Sequence, residues 1–145
     1  MIVRPLHPGD RERWQPLWDG YNSFYERVLP AQITEMSWAR FLDPQERMFA
    51  AVAEIDDTIV GLVHYLYHRS TTMIENVCYL QDLFTAPDAR GMGVGRALIE
   101  HVYDQAAQAG LKRVYWQTHE ANPARKLYDQ VADVTPFRRY VKELG

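Results

Sequence analysis

The chain has 145 residues, 47% of them hydrophobic and 24% charged, with a formal net charge of -3. That is long enough to bury a core without disulfides or a structural metal, and the expected organisation is one domain over residues 1–145. The acidic balance argues against a nucleic-acid partner, which needs a basic surface to displace counterions. Cys78 is the only cysteine, so an internal disulfide is excluded and a reducing, cytoplasmic setting is expected. No window approaches the roughly 20 apolar residues of a membrane span, so no membrane partner is expected.

In chain order, Ile2 to Leu6 reads as a strand and Pro8-Gly9-Asp10 as a turn, with Asp10 a candidate helix cap. The three- and four-residue spacing of Trp14, Leu17, Trp18, Tyr21 and Tyr25 predicts a helix to about Val28, bent at Pro16 or Gly20. Its aromatic stripe is either core or one wall of a pocket for a cationic amine. Glu26 and Glu35 are candidates for holding a second ammonium of such a ligand. Thr34 is a partial capping signal for a short second helix ending near Leu42. Met48 to Ile55 and Ile59 to His68 are β-branched, apolar runs across Asp56-Asp57-Thr58 and read as a hairpin. A third run, Ile74 to Thr85, stops at Ala86-Pro87, where proline has no N–H for further pairing.

Val94, Leu98, Val102, Ala106 and Ala109 mark a buried helical stripe that Gly110 is placed to end in a left-handed cap. Val114 to Thr118 then reads as a strand, Pro123 to Val131 as a helix and Phe137 to Lys142 as a last strand. The fold class is α/β (α+β), with a mixed sheet flanked by helices.

The chemistry concentrates at Arg90-Gly91-Met92-Gly93-Val94-Gly95-Arg96, between a strand and a helix. Its three glycines clear the backbone for a close ligand. The first turn of the helix has unpaired N–H groups and a partial positive charge, and Arg90 and Arg96 add two cations, so a pyrophosphate is the expected guest. A P-loop would continue Gly-Lys-Ser/Thr, whereas Gly95 is followed by Arg96-Ala97. A dinucleotide fold would place an acidic residue about 20 positions on, where this chain has Tyr115. The five histidines form no metal-ligand pattern, since His64 and His68 lie in a predicted strand without a cysteine pair, and no metal is expected.

The segment resembles the cofactor loop of the Gcn5-related N-acetyltransferases, Arg/Gln-x-x-Gly-x-Gly/Ala, matched by Arg90, Gly93 and Gly95. The resemblance runs from about Val60 to the C-terminus, through YLQDLFTAPDARGMGVGRALIEHVY and VYWQTHEANPARKLYDQVA. It is nearest in appearance to the yeast-type histone, polyamine and D-amino-acid acetyltransferases and the spermidine/spermine acetyltransferases. It implies a mostly antiparallel sheet and acetyl-CoA as co-substrate, with the pantetheine arm along Leu83, Phe84 and Thr85. The acceptor it implies is a small-molecule amine or basic peptide, and it implies a homodimer, with the C-terminal PFRRYVKELG as an oligomer contact. It also implies that Tyr128 protonates the departing thiolate, that Asp82 is near the base position, and that Asn122 touches the pantetheine. Gln81 stands where polyamine-acetylating relatives carry Glu, and Asn122 precedes Tyr128 by one residue fewer than usual. Strand alternation predicts that Gln81 and Asp82 point to opposite faces. Transfer is expected to be direct, because Cys78 shows no histidine partner motif. The alternatives are a non-catalytic acyl-CoA-binding or sensing module and a purely structural subunit.

Overall fold

Strand β1 (Ile2–Pro5) leads through a 3-10 turn at Pro8–Asp10 into helix α1 (Arg11–Phe24) in the computed structural model, which describes residues 1–145. Asp10 does not cap α1 through its side chain. Its carboxylate turns back to accept from the His7 N–H at 2.7 Å and to meet Arg4 and Arg13. Helix α1 stops four residues before Val28, and Pro16 is accommodated inside it. Helix α2 (Ala31–Leu42) starts earlier than Thr34, whose hydroxyl instead accepts the Trp18 indole N–H at 3.0 Å.

Strands β2 (Met48–Ile55) and β3 (Thr58–His68) form the expected hairpin, with Asp56 and Asp57 at φ 50° and 62°, both in the left-handed region that the tight turn requires. Strand β4 (Val77–Thr85) begins three residues later than the apolar run, leaving Ile74 exposed in a turn. Helix α3 (Val94–Gln108) matches its predicted stripe: Val94, Leu98, Val102 and Ala106 are all buried. Gly110, at φ 83°, closes it with Gly110 N–H to the Ala107 carbonyl and Leu111 N–H to the Ala106 carbonyl. Strand β5 (Val114–Tyr115) is only two residues long, and helix α4 (Arg125–Val131) follows.

The sheet order is β1-β2-β3-β4-β5, antiparallel except for the β4–β5 pair. Alternation divides its residues between two cores. Ala51, Val63 and Leu80 face α3, whereas Val52, Leu62 and Phe84 face the aromatic stripe of α1. The expected last strand at residues 137–142 does not form. A strand needs a neighbour to pair with, and the sheet edges at β1 and β5 do not take this segment, so Phe137, Tyr140 and Leu144 stay exposed. No helix is long and apolar enough to cross a membrane.

Candidate active site

Two openings flank β4. The first arises because β4 and β5 pair only at Cys78–Val114 and Tyr79–Tyr115 and then diverge. Beyond Tyr79 the β5-facing backbone of β4 has no strand partner. A small cleft lies there, lined on one side by Leu80, Gln81 and Leu83 and on the other by Trp116, Thr118 and Tyr128. Phe84 is turned away from it into the α1 core, and the Thr85 carbonyl accepts from Arg90 Nε at 3.4 Å.

Below the cleft lies the glycine loop. Gly91 and Gly93 have φ 81° and 80°, which a residue with a Cβ adopts only under strain, and added Cβ atoms there would meet nothing. The loop conformation, not crowding, calls for glycine at both positions. Gly93 is the N-cap of α3 and provides no side-chain acceptor, so the N–H groups of Val94, Gly95 and Arg96 are left for an external anion. Gly95 also lets α4 approach, since a Cβ there would lie 3.2 Å from Leu127. Arg90 is exposed and stacked 5.7 Å over the Phe84 ring, while Arg96 bonds Gln130 and lies 3.9 Å from Glu100. Met92 is exposed at the loop tip. A diphosphate therefore fits this cradle of bare N–H groups and flanking guanidinium groups.

The second opening is a cavity of about 200 Å³ on the α1–α2 side, with Asp82 and His64 among its lining residues and Gln81 shared with the cleft. Its polar wall depends on an irregularity. His64 pairs with Asp82 but Tyr65 pairs with Leu80, so Gln81 is an unpaired extra residue in β4. The bulge resets the side-chain alternation. Leu80 faces α3, and Asp82, which regular pleating would send the same way, faces α1 beside His64 and borders the same cavity as Gln81. Gln81 lines both the cavity and the cleft, whereas Asp82 lines only the cavity.

His64 is fully inside the protein and bonded at both ring nitrogens. Its Nε2 lies 3.1 Å from the Trp14 indole nitrogen, which can only donate, so Nε2 is the acceptor. The proton therefore sits on Nδ1, which donates to Asp82 Oδ2 at 2.9 Å. In this Trp14–His64–Asp82 chain Oδ2 is engaged by His64, and the carboxylate also lies beside the Tyr21 hydroxyl. Tyr21, at the junction of cavity and cleft, has its phenol raised far above its usual range by burial and by the adjacent Asp82. The aromatic stripe of α1 is divided in function: Trp14 is wholly core, while Trp18 and Tyr21 line the openings.

Tyr128 borders the cleft with its ring edge-on to Trp116 at 5.5 Å. Burial, with Tyr25 nearby, pushes its phenol up to about 12. Its hydroxyl makes no hydrogen bond within the protein. The Asn122 side chain is committed to its own turn, donating to Thr118 Oγ1 and accepting from the Ala124 N–H, both at 2.9 Å. Cys78 is fully buried and its thiol is pushed up to about 12, so it offers no thiolate nucleophile. Glu35 is taken by Arg11, and neither it nor Glu26 lines the cavity. The sequence reading missed His64 as a functional residue. The one signal available was a histidine on the same strand face as Leu62, toward the tryptophans.

A mixed sheet whose parallel pair opens beside a glycine-rich helix start is the architecture of an acetyltransferase. The chain belongs to the acetyltransferase (GNAT) family, which residues 13–132 match, and it is an acyltransferase. It is 38% identical over 135 residues to the D-amino-acid N-acetyltransferase HPA3 of Saccharomyces cerevisiae, covering 91% of this chain and 84% of that protein. It is 30% identical over 131 residues to the uncharacterized N-acetyltransferase YhfO of Bacillus subtilis, covering 90% and 87%. In fold it resembles the ribosomal-protein-alanine N-acetyltransferase of Brucella melitensis biovar Abortus 2308, with a TM-score of 0.82 and 22% identity over 99% of this chain and 98% of that one.

Proposed function

We propose that this protein moves an acetyl group from acetyl-CoA directly to the primary amine of a small molecule in the cytoplasm. The observation that carries the reading is the bulge at Gln81, which sets Asp82 in the 200 Å³ cavity while Tyr128 lies in the cleft on the other side of the same residue. Residues Arg90 to Arg96 would hold the diphosphate, Leu83 to Thr85 would line the pantetheine arm, and Asn122 would hold the turn against it. Acetyl-CoA, when bound, supplies a thioester carbonyl open to attack and a thiolate leaving group.

The amine enters from the cavity and donates to Asp82 Oδ1, which accepts its proton. His64 Nδ1–H keeps Oδ2 engaged and orients the carboxylate. Tyr128 remains protonated throughout the neutral range and donates a hydrogen bond where sulfur gains negative charge. A phenol at about 12 is a weaker acid than a thiol of ordinary pKa about 8.5, so its role is to hold the charge while solvent completes protonation. The yeast relative, by name a D-amino-acid N-acetyltransferase, supports an amino acid among the acceptors. The exposed C-terminal segment with Phe137 and Tyr140 outward is consistent with a homodimer.

The test is thiol release from acetyl-CoA across a panel of amines. Turnover is expected, with Tyr128→Phe and Asp82→Asn each lowering kcat by about 10- to 1000-fold while acetyl-CoA binding persists. Tight acetyl-CoA binding with no turnover on any amine would instead favour a sensing module.

A further inference from the structure

The acceptor cavity carries two full charges of opposite sign. Asp82 is one lining residue, and Arg27 is the only cation among them; His64 is neutral in the tautomer that its hydrogen bonds require. The remaining wall is largely apolar, including Leu29, Ile33 and Phe41.

Arg27 is held in place by its surroundings. Helix α1 closes with Glu26 N–H to the Ser23 carbonyl and Arg27 N–H to the Asn22 carbonyl, at 3.0 and 2.9 Å. This closure puts Glu26 at φ 56°, where glycine is usual. The chain thereby doubles back, and the guanidinium stacks 5.3 Å from the Tyr21 ring centre and 5.1 Å from that of Tyr25. Nε donates to Asn22 Oδ1 at 3.2 Å, and the Asn22 amide in turn donates to the Trp18 carbonyl at 2.9 Å. One edge of the guanidinium is thus fixed. The terminal amino groups meet no carboxylate or backbone carbonyl, the Tyr21 hydroxyl being the one further polar group beside the guanidinium, and Arg27 forms no ion pair. The Tyr21 phenol feels both neighbours, raised by Asp82 and lowered by Arg27, so the two charges flank one hydroxyl yet do not pair directly.

We infer that the cavity binds free α-amino acids as zwitterions, with Arg27 receiving the carboxylate and Asp82 the amine. A guanidinium that lines a cavity and has no carboxylate partner within the protein is suited to receive one from a ligand. The same cation repels the second ammonium of a polyamine, and the apolar wall suits an uncharged side chain. A cavity of about 200 Å³ is also small beside the roughly 300–1,000 Å³ of drug-sized sites, as a single amino acid requires. Arg27 is then the residue that separates amino acids from simple amines. The inference rests on the acetyltransferase reading of the same site.

The experiment compares phenylalanine and leucine, each as both enantiomers, with their decarboxylated amines and with spermidine. Acetylation and calorimetric binding are measured for the wild-type protein, Arg27→Gln and Arg27→Lys. The wild-type protein should favour at least one enantiomer of each amino acid over its amine by about 100-fold in kcat/KM. In Arg27→Gln that ratio should fall toward one through a rise in amino-acid KM, with Arg27→Lys recovering part of it. Calorimetric affinity for the amino acid should fall in parallel. Equal or better acetylation of the decarboxylated amines or spermidine would overturn the proposal while leaving the transferase reading intact. So would an Arg27→Gln effect confined to acetyl-CoA. Failure to acetylate every amine would remove the underlying reading as well.

Discussion

Glu26 shows how a single backbone angle is set against local preference. An L-residue in the left-handed region costs roughly 1–2 kcal/mol, and Glu26 takes that conformation at φ 56° so that the end of α1 can turn Arg27 over Tyr21 and Tyr25. Because the Glu26 side chain forms no ion pair or hydrogen bond, Glu26→Gly should raise stability by about 1 kcal/mol, read as a higher urea midpoint at unchanged slope. A lower midpoint would show that the side chain contributes more than its backbone strain costs. At the same scale, His64 could not be recognised as a functional residue from the sequence. Its role depends on Trp14, 50 residues away, and on Asp82, 18 residues away, and no local pattern links the three.

At the scale of elements, the approach of α3 to the sheet sets where the glycine loop stands. Gly61 in β3 lies directly beneath that helix. A Cβ there would come within 2.6 Å of Val94 Cγ1 and 3.0 Å of Leu98 Cδ1. Gly61→Ala should therefore cost about 1–3 kcal/mol by overpacking. It should also weaken acetyl-CoA binding, because Val94 is the first residue of the helix whose N-terminus forms the cradle. Thermal unfolding and calorimetry together check this, and a stable variant with weakened binding would be the clearest outcome. The helix itself was legible, since its four-residue apolar spacing and Gly110 stop signal are local. The bulge at Gln81 was not, because strand register emerges only when β3 is laid beside β4.

Across the whole molecule, one charged cluster ties the N-terminal strand, the start of α1 and β2 together. Arg4 bonds both Asp10 and Glu54, and Arg13 reaches Asp10 at 2.9 Å. The hydrogen bond from Arg4 is the main reason that the Asp10 carboxyl, only 2% exposed, drops from 3.8 to about 2. A depressed folded-state pKa means that the contribution is complete above the unfolded value near 4 and is lost as pH falls through about 2. After allowance for solvent screening it amounts to about 1–2 kcal/mol. Stability should accordingly decline between about pH 5 and pH 2, and Asp10→Asn should flatten that decline while lowering stability at pH 7. Urea titrations at several pH values check the sign, and an unaltered acid limb in Asp10→Asn would assign the loss to other carboxylates.

The sequence by itself determined the element types up to α4, the hairpin, the α3 stripe and the glycine loop, because each is written in spacings of a few residues or in the stereochemistry of a single residue type. It also carried the family resemblance, through motifs that are contiguous in the chain. Only the tertiary structure decided that Asp82 faces α1 and bonds His64, that Arg27 lines the same cavity, and that residues 137–142 find no strand partner. Those outcomes depend on register, packing and charge between segments far apart in the chain, where the interaction energy belongs to the pair and neither partner's local sequence records it.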